Sequence, residues 1–339
     1  MVNKPTTKSS DRLDVTVVFL EGSFSSTAVG PLEVFHHAGV IWNLLTGQAV
    51  APRFRVTSAS LTGEAVPCQG PLTIQPAAAI SDIRKADLIF IPSSGLELDT
   101  VVTRNARMIP WLRRWHGRGA AIAGVCAGVG LVAAAGLLDG KRATTHWGLA
   151  ERFRREFPRV RWVPEQLITE DGDLYCGGGV HASLDLSLYL VERFCGHEAA
   201  VQCARALLID SPRSSQSDYA VVPLRTRHQD EDIARAQDWL HEHFREELRL
   251  EDLAARVRMS PRNFARRFRT ATGDTPLGYL QKLRVAAARR LLEAAGRTVQ
   301  EVGSAVGYED TAFFRSLFRR HTGVAPQAYR KRFGRPLAS

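Results

Sequence analysis

The chain has 339 residues, 45% hydrophobic and 24% charged, a balance typical of a soluble globular protein with room for two or three domains. Its five cysteines form no CxxC pair, which argues against a disulfide-stapled secreted domain and predicts a cytoplasmic protein. The net charge of +10 is uneven: residues 227–339 hold 22 Lys and Arg against 14 Asp and Glu, and the remainder is nearly neutral. We therefore expect a polyanionic partner for the C-terminal part alone.

Short apolar runs alternate with helical patterns over the first two hundred residues, after a polar tail at 1–11 that we predict to be disordered. Several runs are apolar almost throughout, as in strands buried on both faces of a parallel sheet. This alternation predicts an α/β domain over 12–210, with a doubly wound, mostly parallel sheet of the flavodoxin-like kind. The predicted strands are 13–20, 54–58, 86–92 and 120–125, and the predicted helices are 30–38, 106–115, 182–194 and 199–209.

Residues 119–138 contain no charge, and their length is that of a membrane span. Five glycines interrupt them and much of the rest is alanine, which is a poor composition for lipid. We predict a buried strand that turns into a helix, and no membrane partner.

Residues 211–228 are polar, with two prolines and a cluster of serines, and are predicted to be a linker. From 229 to 335 the pattern becomes wholly helical, and it repeats a helix-turn-helix motif at 250–268 and 299–318. Each copy has one apolar pair on its first helix and another on its second, and a small residue (Ala254 or Gly303) where the two helices cross. A long helix at 276–295 joins the copies.

The second helix of each copy is built to lie in the major groove of double-stranded DNA. Its free face carries residues spaced three and four apart, and arginine there suits bidentate contact with guanine. The predicted DNA-binding residues are Arg262, Asn263, Arg266 and Arg267 in the first copy, and Thr311, Ala312, Arg315 and Ser316 in the second.

This C-terminal part resembles the DNA-binding domain of the AraC/XylS family of transcription regulators. The resemblance includes the Gly307-Tyr308 turn and the closing run from Gly323 to Arg330. In the family's commoner order a serine precedes the arginine of the second recognition helix, whereas this chain has Arg315 before Ser316. That exchange favours a phosphate contact for Arg315. The resemblance implies a homodimer that binds promoter or operator DNA, with RNA polymerase as a further partner.

In the first domain, Cys126 lies between a predicted strand and a predicted helix, and His146 follows twenty positions later. A cysteine at such a turn is expected to be exposed, with its thiol pKa lowered by the helix N-terminus. The pair resembles the class I glutamine-amidotransferase-like superfamily, in its intracellular-protease-like branch. The run beginning Gly30-Pro31 and the domain order resemble the GlxA-like subgroup.

In that subgroup the old catalytic cleft is thought to bind a small effector, and its usual acidic residue is replaced here by Thr27. The resemblance therefore implies a sensor with vestigial catalytic candidates Cys126 and His146, not an enzyme, and effectors such as amino acids or quaternary amines. We expect no metal and no cofactor. The predicted effector-pocket residues are Glu33, Ser93, Ser94, Cys126, His146 and His181.

Three alternatives stay open at this point. A structural cysteine and a packed histidine are the first alternative for Cys126 and His146, since buried cysteine is common. A cysteine-dependent amidase, protease or deglycase with a DNA-targeting tail is a second alternative. A thiol redox switch is the third.

Overall fold

The computed structural model describes residues 12–210, 215–216, 219, 228–294 and 296–334. The chain divides into two compact units, residues 1–216 and 217–339. The predicted tail at 1–11 and most of the predicted linker at 211–228 lie outside the described residues, so both stay predictions. No helix among the described residues is long and apolar enough to cross a membrane.

The strands of the first unit include all four that the apolar runs predict. Their bounds are β1 Leu13–Val18, β2 Phe54–Ser60, β3 Val66–Pro67, β4 Thr73–Ile74, β5 Ala78–Ala79, β6 Leu88–Ile91, β7 Ala121–Val125, β8 Arg142–Ala143, β9 Arg161–Trp162, β10 Ile168–Asp171 and β11 Leu174–Gly177.

The main sheet of the described residues has seven strands in the order β10-β11-β7-β6-β1-β2-β5. Every neighbouring pair in it is parallel except the β10–β11 hairpin. Both faces are covered, because Ile89 and Ile122 point into one hydrophobic core and Val17 and Phe90 into the other. The predicted mostly parallel α/β fold is confirmed.

The helices of the first unit flank this sheet. Their bounds are α1 Ser26–His37, α2 Ile41–Leu45, α3 Leu98–Arg104, α4 Met108–Gly117, α5 Val129–Ala134, α6 Ala150–Glu156, α7 Ala182–Cys195 and α8 His197–Ala206. The charge-free stretch becomes β7, a short 3₁₀ turn and α5, as predicted.

The second unit is helical throughout its described residues. Its helices are α9 Glu231–His243, α10 Leu250–Arg256, α11 Pro261–Thr272, α12 Pro276–Glu293, α13 Val299–Ala305, α14 Thr311–Thr322 and α15 Pro326–Phe333. The pairs α10–α11 and α13–α14 are the two helix-turn-helix copies, and α12 joins them. Phe264 and Phe268 are fully buried in one core, and Phe314 and Phe318 in the other, so the repeat predicted from the apolar pairs is present.

Candidate functional site

The first candidate site lies where strands of the parallel sheet end. In the sheet, β2 lies on one side of β1 and β6 lies on the other. The direction in which successive strands are added therefore reverses between β1 and β6. Ligands of open α/β sheets bind outside the carboxyl ends of the strands at such a reversal. Here Ser23, after β1, forms a backbone bridge with Ser94, after β6, and the Phe24 N–H donates to the Ser93 carbonyl at 3.0 Å.

Cys126 stands at the end of the adjacent strand, β7, on the turn into α5. Its φ of 54° lies in the left-handed region, a conformation that costs a non-glycine residue free energy and is common at functional sites. The turn fits tightly against the end of β6, because a Cβ on Gly128 would lie 2.1 Å from the Pro92 carbonyl oxygen. The predicted turn is thus present, with the cysteine at its apex.

The expectation of an exposed thiol with a lowered pKa is wrong. Cys126 is 0% exposed, and this burial raises the thiol pKa because a thiolate is poorly solvated there. The neighbouring Ser93 side chain and the Ala127 amide act in the opposite direction, but burial prevails. The thiol is therefore protonated and shielded at neutral pH.

His146 follows Thr145, whose hydroxyl donates to the Cys126 carbonyl at 2.9 Å. The His146 Nδ1 accepts a hydrogen bond from the Gly148 N–H at 3.0 Å, and burial lowers the imidazole pKa. The neutral ring therefore carries its proton on Nε2, which can donate to a ligand but cannot take a proton from a thiol. No hydrogen bond joins Cys126 to His146 within the described ranges.

The position of the family's acidic residue is occupied by Thr27, which is fully buried. Its hydroxyl donates to the Phe24 carbonyl at 2.7 Å and accepts from the Ser93 N–H at 3.0 Å. These bonds satisfy the hydroxyl and tie α1 to the end of β6. The cleft thus has a neutral hydrogen-bonded side chain where a carboxylate would orient a base.

The predicted pocket residues divide into two groups. Ser93 lies against Cys126, Ser94 follows it and bridges to Ser23, and Thr145 connects the segment of His146 to the Cys126 backbone. Glu33, on α1, and His181, just before α7, are exposed, and the structure shows no hydrogen bond from either described side chain to Cys126 or His146. Their place in an effector pocket stays a prediction.

The second candidate site is the exposed face of α11. Ser260 caps the helix by accepting from the Asn263 N–H, and Pro261 occupies its first turn. Arg262 and Arg266 are exposed opposite the buried Phe264 and Phe268. The Arg266 guanidinium donates to the Asn263 amide oxygen at 2.9 Å, which orients it along this face.

Arg267 does not share that face. Its guanidinium bonds to Asp230, the N-cap of α9, at 2.6 and 2.9 Å and to Asp232 at 3.0 Å. It therefore ties α11 to α9, and its predicted DNA contact stays a prediction. An arginine pattern on one helix does not reveal carboxylates thirty-five and thirty-seven positions away, so this pairing was not predictable from the sequence.

In the second copy, α14 presents Ala312, Arg315 and Ser316 as exposed residues and Thr311 as half-buried. Asp310 caps the helix, accepting from the Ala312 and Phe313 N–H groups at 2.7 and 3.1 Å. Phe313 is 49% exposed on the same helix, and the predicted residues do not include it. An apolar ring there suits contact with a thymine methyl group, so its exposure marks it as a further candidate.

Two profiles of known families match the chain. The DJ-1/PfpI family matches residues 15–193, more than half of the chain, and a helix-turn-helix domain matches residues 253–332. The chain belongs to the DJ-1/PfpI family. It carries, in addition, an AraC-type helix-turn-helix domain.

Relatives of this DJ-1/PfpI chain share both parts. "HTH-type transcriptional regulator CdhR" of Pseudomonas aeruginosa is 29% identical, over 88% of this chain and 85% of its own. "HTH-type transcriptional regulator GlxA" of Rhizobium meliloti is 26% identical, over 86% of this chain and 89% of its own. The crystal structure of Drosophila melanogaster DJ-1beta, 21% identical, covers 59% of this chain and all of its own with a TM-score of 0.50, and shares the fold of the first unit.

Proposed function

We propose that this protein is a transcription regulator that reads a specific DNA site mainly through α11 and senses a small molecule at the carboxyl ends of β1, β6 and β7. The observation that carries the DNA-binding part is the geometry of α11. Its phenylalanines are fully buried, so its position is rigid, and Arg262 and Arg266 project from the opposite face. Relatives along most of the chain are regulators, which supports the same function.

The test of base reading uses the full chain and a duplex selected from a random pool by its binding. Arg266→Ala should weaken binding to this duplex by about 1–3 kcal/mol and binding to random DNA much less, measured by fluorescence anisotropy. Arg114→Ala, an exposed arginine of the first unit, is the matched control. An equal loss on both duplexes would refute base reading by Arg266.

We infer that the Cys126 cleft binds its ligand without turning it over. The buried protonated thiol, the Nε2–H tautomer of His146 and the neutral Thr27 support this, since a cysteine nucleophile needs a thiolate and a base. The effector class expected from the resemblance is a nitrogenous metabolite. A thermal-shift screen of such metabolites against the full chain tests it, because a specific ligand stabilises the folded state in proportion to its occupancy.

A homodimer also belongs to the proposal, on the family resemblance, and RNA polymerase is the further partner it implies. Light scattering of the purified chain measures its mass directly. A mass near 37.4 kDa at micromolar concentration, with and without DNA, would contradict the dimer.

A further inference from the structure

Gln216 is the last residue of the first unit, and its side chain lies inside that unit. It is 2% exposed although it belongs to a polar, serine-rich stretch. Its backbone is docked as well, because the Gln216 N–H donates to the Glu165 carbonyl at 3.3 Å and Ser215 forms a bridge with Gln166. A buried glutamine must satisfy both ends of its carboxamide, so its partners define a site.

The hydrogen-bond partners of Gln216 fit both ends of a primary carboxamide, its oxygen and its NH₂ group. The Trp147 N–H donates to Oε1 at 3.0 Å, which fixes the orientation of the amide. Nε2 donates to the Thr145 carbonyl at 2.7 Å, and the Thr144 hydroxyl and the Gln166 carbonyl lie at 3.1 and 3.2 Å. Because the Thr144 hydroxyl itself donates to the Gln166 carbonyl, it presents a lone pair to Nε2. One donor and three acceptors select an amide over a carboxylate.

The socket formed by these groups adjoins the Cys126 cleft. Thr145 and Trp147 flank His146 in sequence, and both bond to the Gln216 carboxamide through their backbones. The Thr145 side chain bonds to Cys126 at the same time. The carboxamide therefore holds the loop that carries His146.

The far wall of the socket is Gly178, just after β11. A Cβ at Gly178 would lie 2.5 Å from Nε2 of Gln216, so any larger residue would displace the carboxamide. Gly178 does not have a positive φ, so its backbone conformation does not require glycine. The Gln216 carboxamide occupies the space that a side chain at 178 would need.

We propose that this socket is a primary-carboxamide site, which the chain fills with its own Gln216 and from which a small molecule bearing a primary carboxamide can displace it. The exchange frees the chain at the point where it leaves the first unit, while the carboxamide of the ligand takes over the bonds to Thr145 and Trp147 that hold the His146 loop. Tyr219, three positions later, already belongs to the second unit, where it contacts Phe333 and Arg332 of the same unit. Any effect of this exchange on DNA binding rests on the proposed function, whereas the carboxamide site itself does not.

Amide hydrogen exchange in the full chain tests the site without DNA. Gln216→Ala should speed exchange of the Trp147 amide about tenfold, because one hydrogen bond is lost. Gln216→Glu should do the same, since its carboxylate faces three oxygens, and Gly178→Ala should reproduce the effect from the opposite wall. Ser215→Ala, which keeps the carboxamide, is the matched control. The Ile122 amide, bonded to the Asp173 carbonyl, reports whether each variant is folded.

Chemical rescue tests the selectivity. Acetamide at about 0.1 M, a concentration suited to so small a ligand, should slow the Trp147 amide again in Gln216→Ala, and acetate should not. In the wild type, acetamide should displace the Gln216 side chain and thereby speed exchange of the Gln216 backbone amide. Equal Trp147 exchange in wild type and Gln216→Ala, or equal rescue by acetate, would overturn the proposal. Because these measurements use no DNA, their failure leaves the test of DNA reading intact, and the converse also holds.

Discussion

Cys126 combines a left-handed backbone conformation with a fully buried side chain. Its left-handed φ is that of a residue held at the apex of a strand-to-helix turn, yet its side chain is fully buried. The turn was predictable from small residues around a cysteine, as at Gly124 and Gly128. The burial was not, because it depends on residues that the fold brings together from other parts of the chain, such as Ser93 after β6.

Burial predicts slow chemistry at this thiol. In the folded chain at pH 7.5, iodoacetamide should modify Cys126 at least about 100-fold more slowly than in the chain unfolded in urea, because the folded thiol is protonated and shielded. Mass spectrometry of the peptide containing Cys126 measures both rates. Rapid modification of the folded chain would favour the redox-switch alternative.

His146 gives the first unit a pH dependence with a defined sign. Burial lowers its folded-state pKa, so as pH falls the unfolded chain takes up a proton first, beginning near its ordinary value of about 6.5. The free energy of unfolding should be largest above that pH and should decrease as pH falls toward the folded-state pKa. In urea titrations from pH 7.5 to 5, His146→Asn should lose this part of the slope. His181→Asn, at an exposed histidine, is the control; equal slopes in His146→Asn and wild type would contradict the assignment.

At the scale of elements, Arg284 of α12 connects the two helix-turn-helix copies. Its guanidinium donates to the carbonyls of Phe244, Glu246 and Gly307 at 2.6, 2.7 and 3.0 Å. It also lies 4.8 Å from the Tyr308 ring, a cation–π contact. Phe244 packs against the cores of both copies. The turn before the second recognition helix is therefore held by the helix that joins the copies.

Gly307 is required in that turn for two reasons. Its φ is +87°, and a Cβ there would lie 2.5 Å from the Arg245 carbonyl and 3.0 Å from the Arg284 guanidinium. Gly307→Ala should lower the free energy of unfolding by about 2 kcal/mol or more, measured by urea denaturation. Gly273→Ala is the matched control, because its φ of +78° carries the same backbone strain with nothing within 4 Å. Equal losses in the two variants would mean that the close approach of the Arg245 carbonyl and the Arg284 guanidinium to Gly307 contributes nothing.

Elements with strong periodicity were predictable, and short ones were not. The runs at β1, β2, β6 and β7 and the repeat at α10–α11 and α13–α14 carry their own pattern. The strands β10 and β11 span only four residues each, and β10 contains three polar ones, so their pairing beside β7 is set by tertiary contacts. The burial of Gln216 could not be predicted from the sequence, because it depends on Thr144, Thr145 and Gln166.

At the scale of the whole molecule, most of the net positive charge lies in the C-terminal part of the chain. From residue 260 onward the chain holds 16 Lys and Arg against 5 Asp and Glu. Not all of this charge is available to DNA, because Arg267 is paired with Asp230 and Asp232, and Arg284 is buried. The exposed remainder sets the non-specific affinity.

DNA binding should therefore weaken steeply as salt increases. Arg319 is exposed near the end of α14, at a place suited to a phosphate. Arg319→Ala should weaken binding to selected and random duplexes alike and make the slope of log K against log salt shallower by about 0.9. Arg114→Ala of the first unit should leave the slope unchanged. An unaltered slope in Arg319→Ala would show that Arg319 makes no phosphate contact.

The bridge between Ser23 and Ser94 and the turn at Cys126 are made by the backbone, so they do not depend on which side chains line the cleft. These backbone contacts therefore remain when a side chain that lines the cleft changes. Under the proposed function, a substitution in the cleft would change which small molecule is bound, and α11 would still read the same DNA.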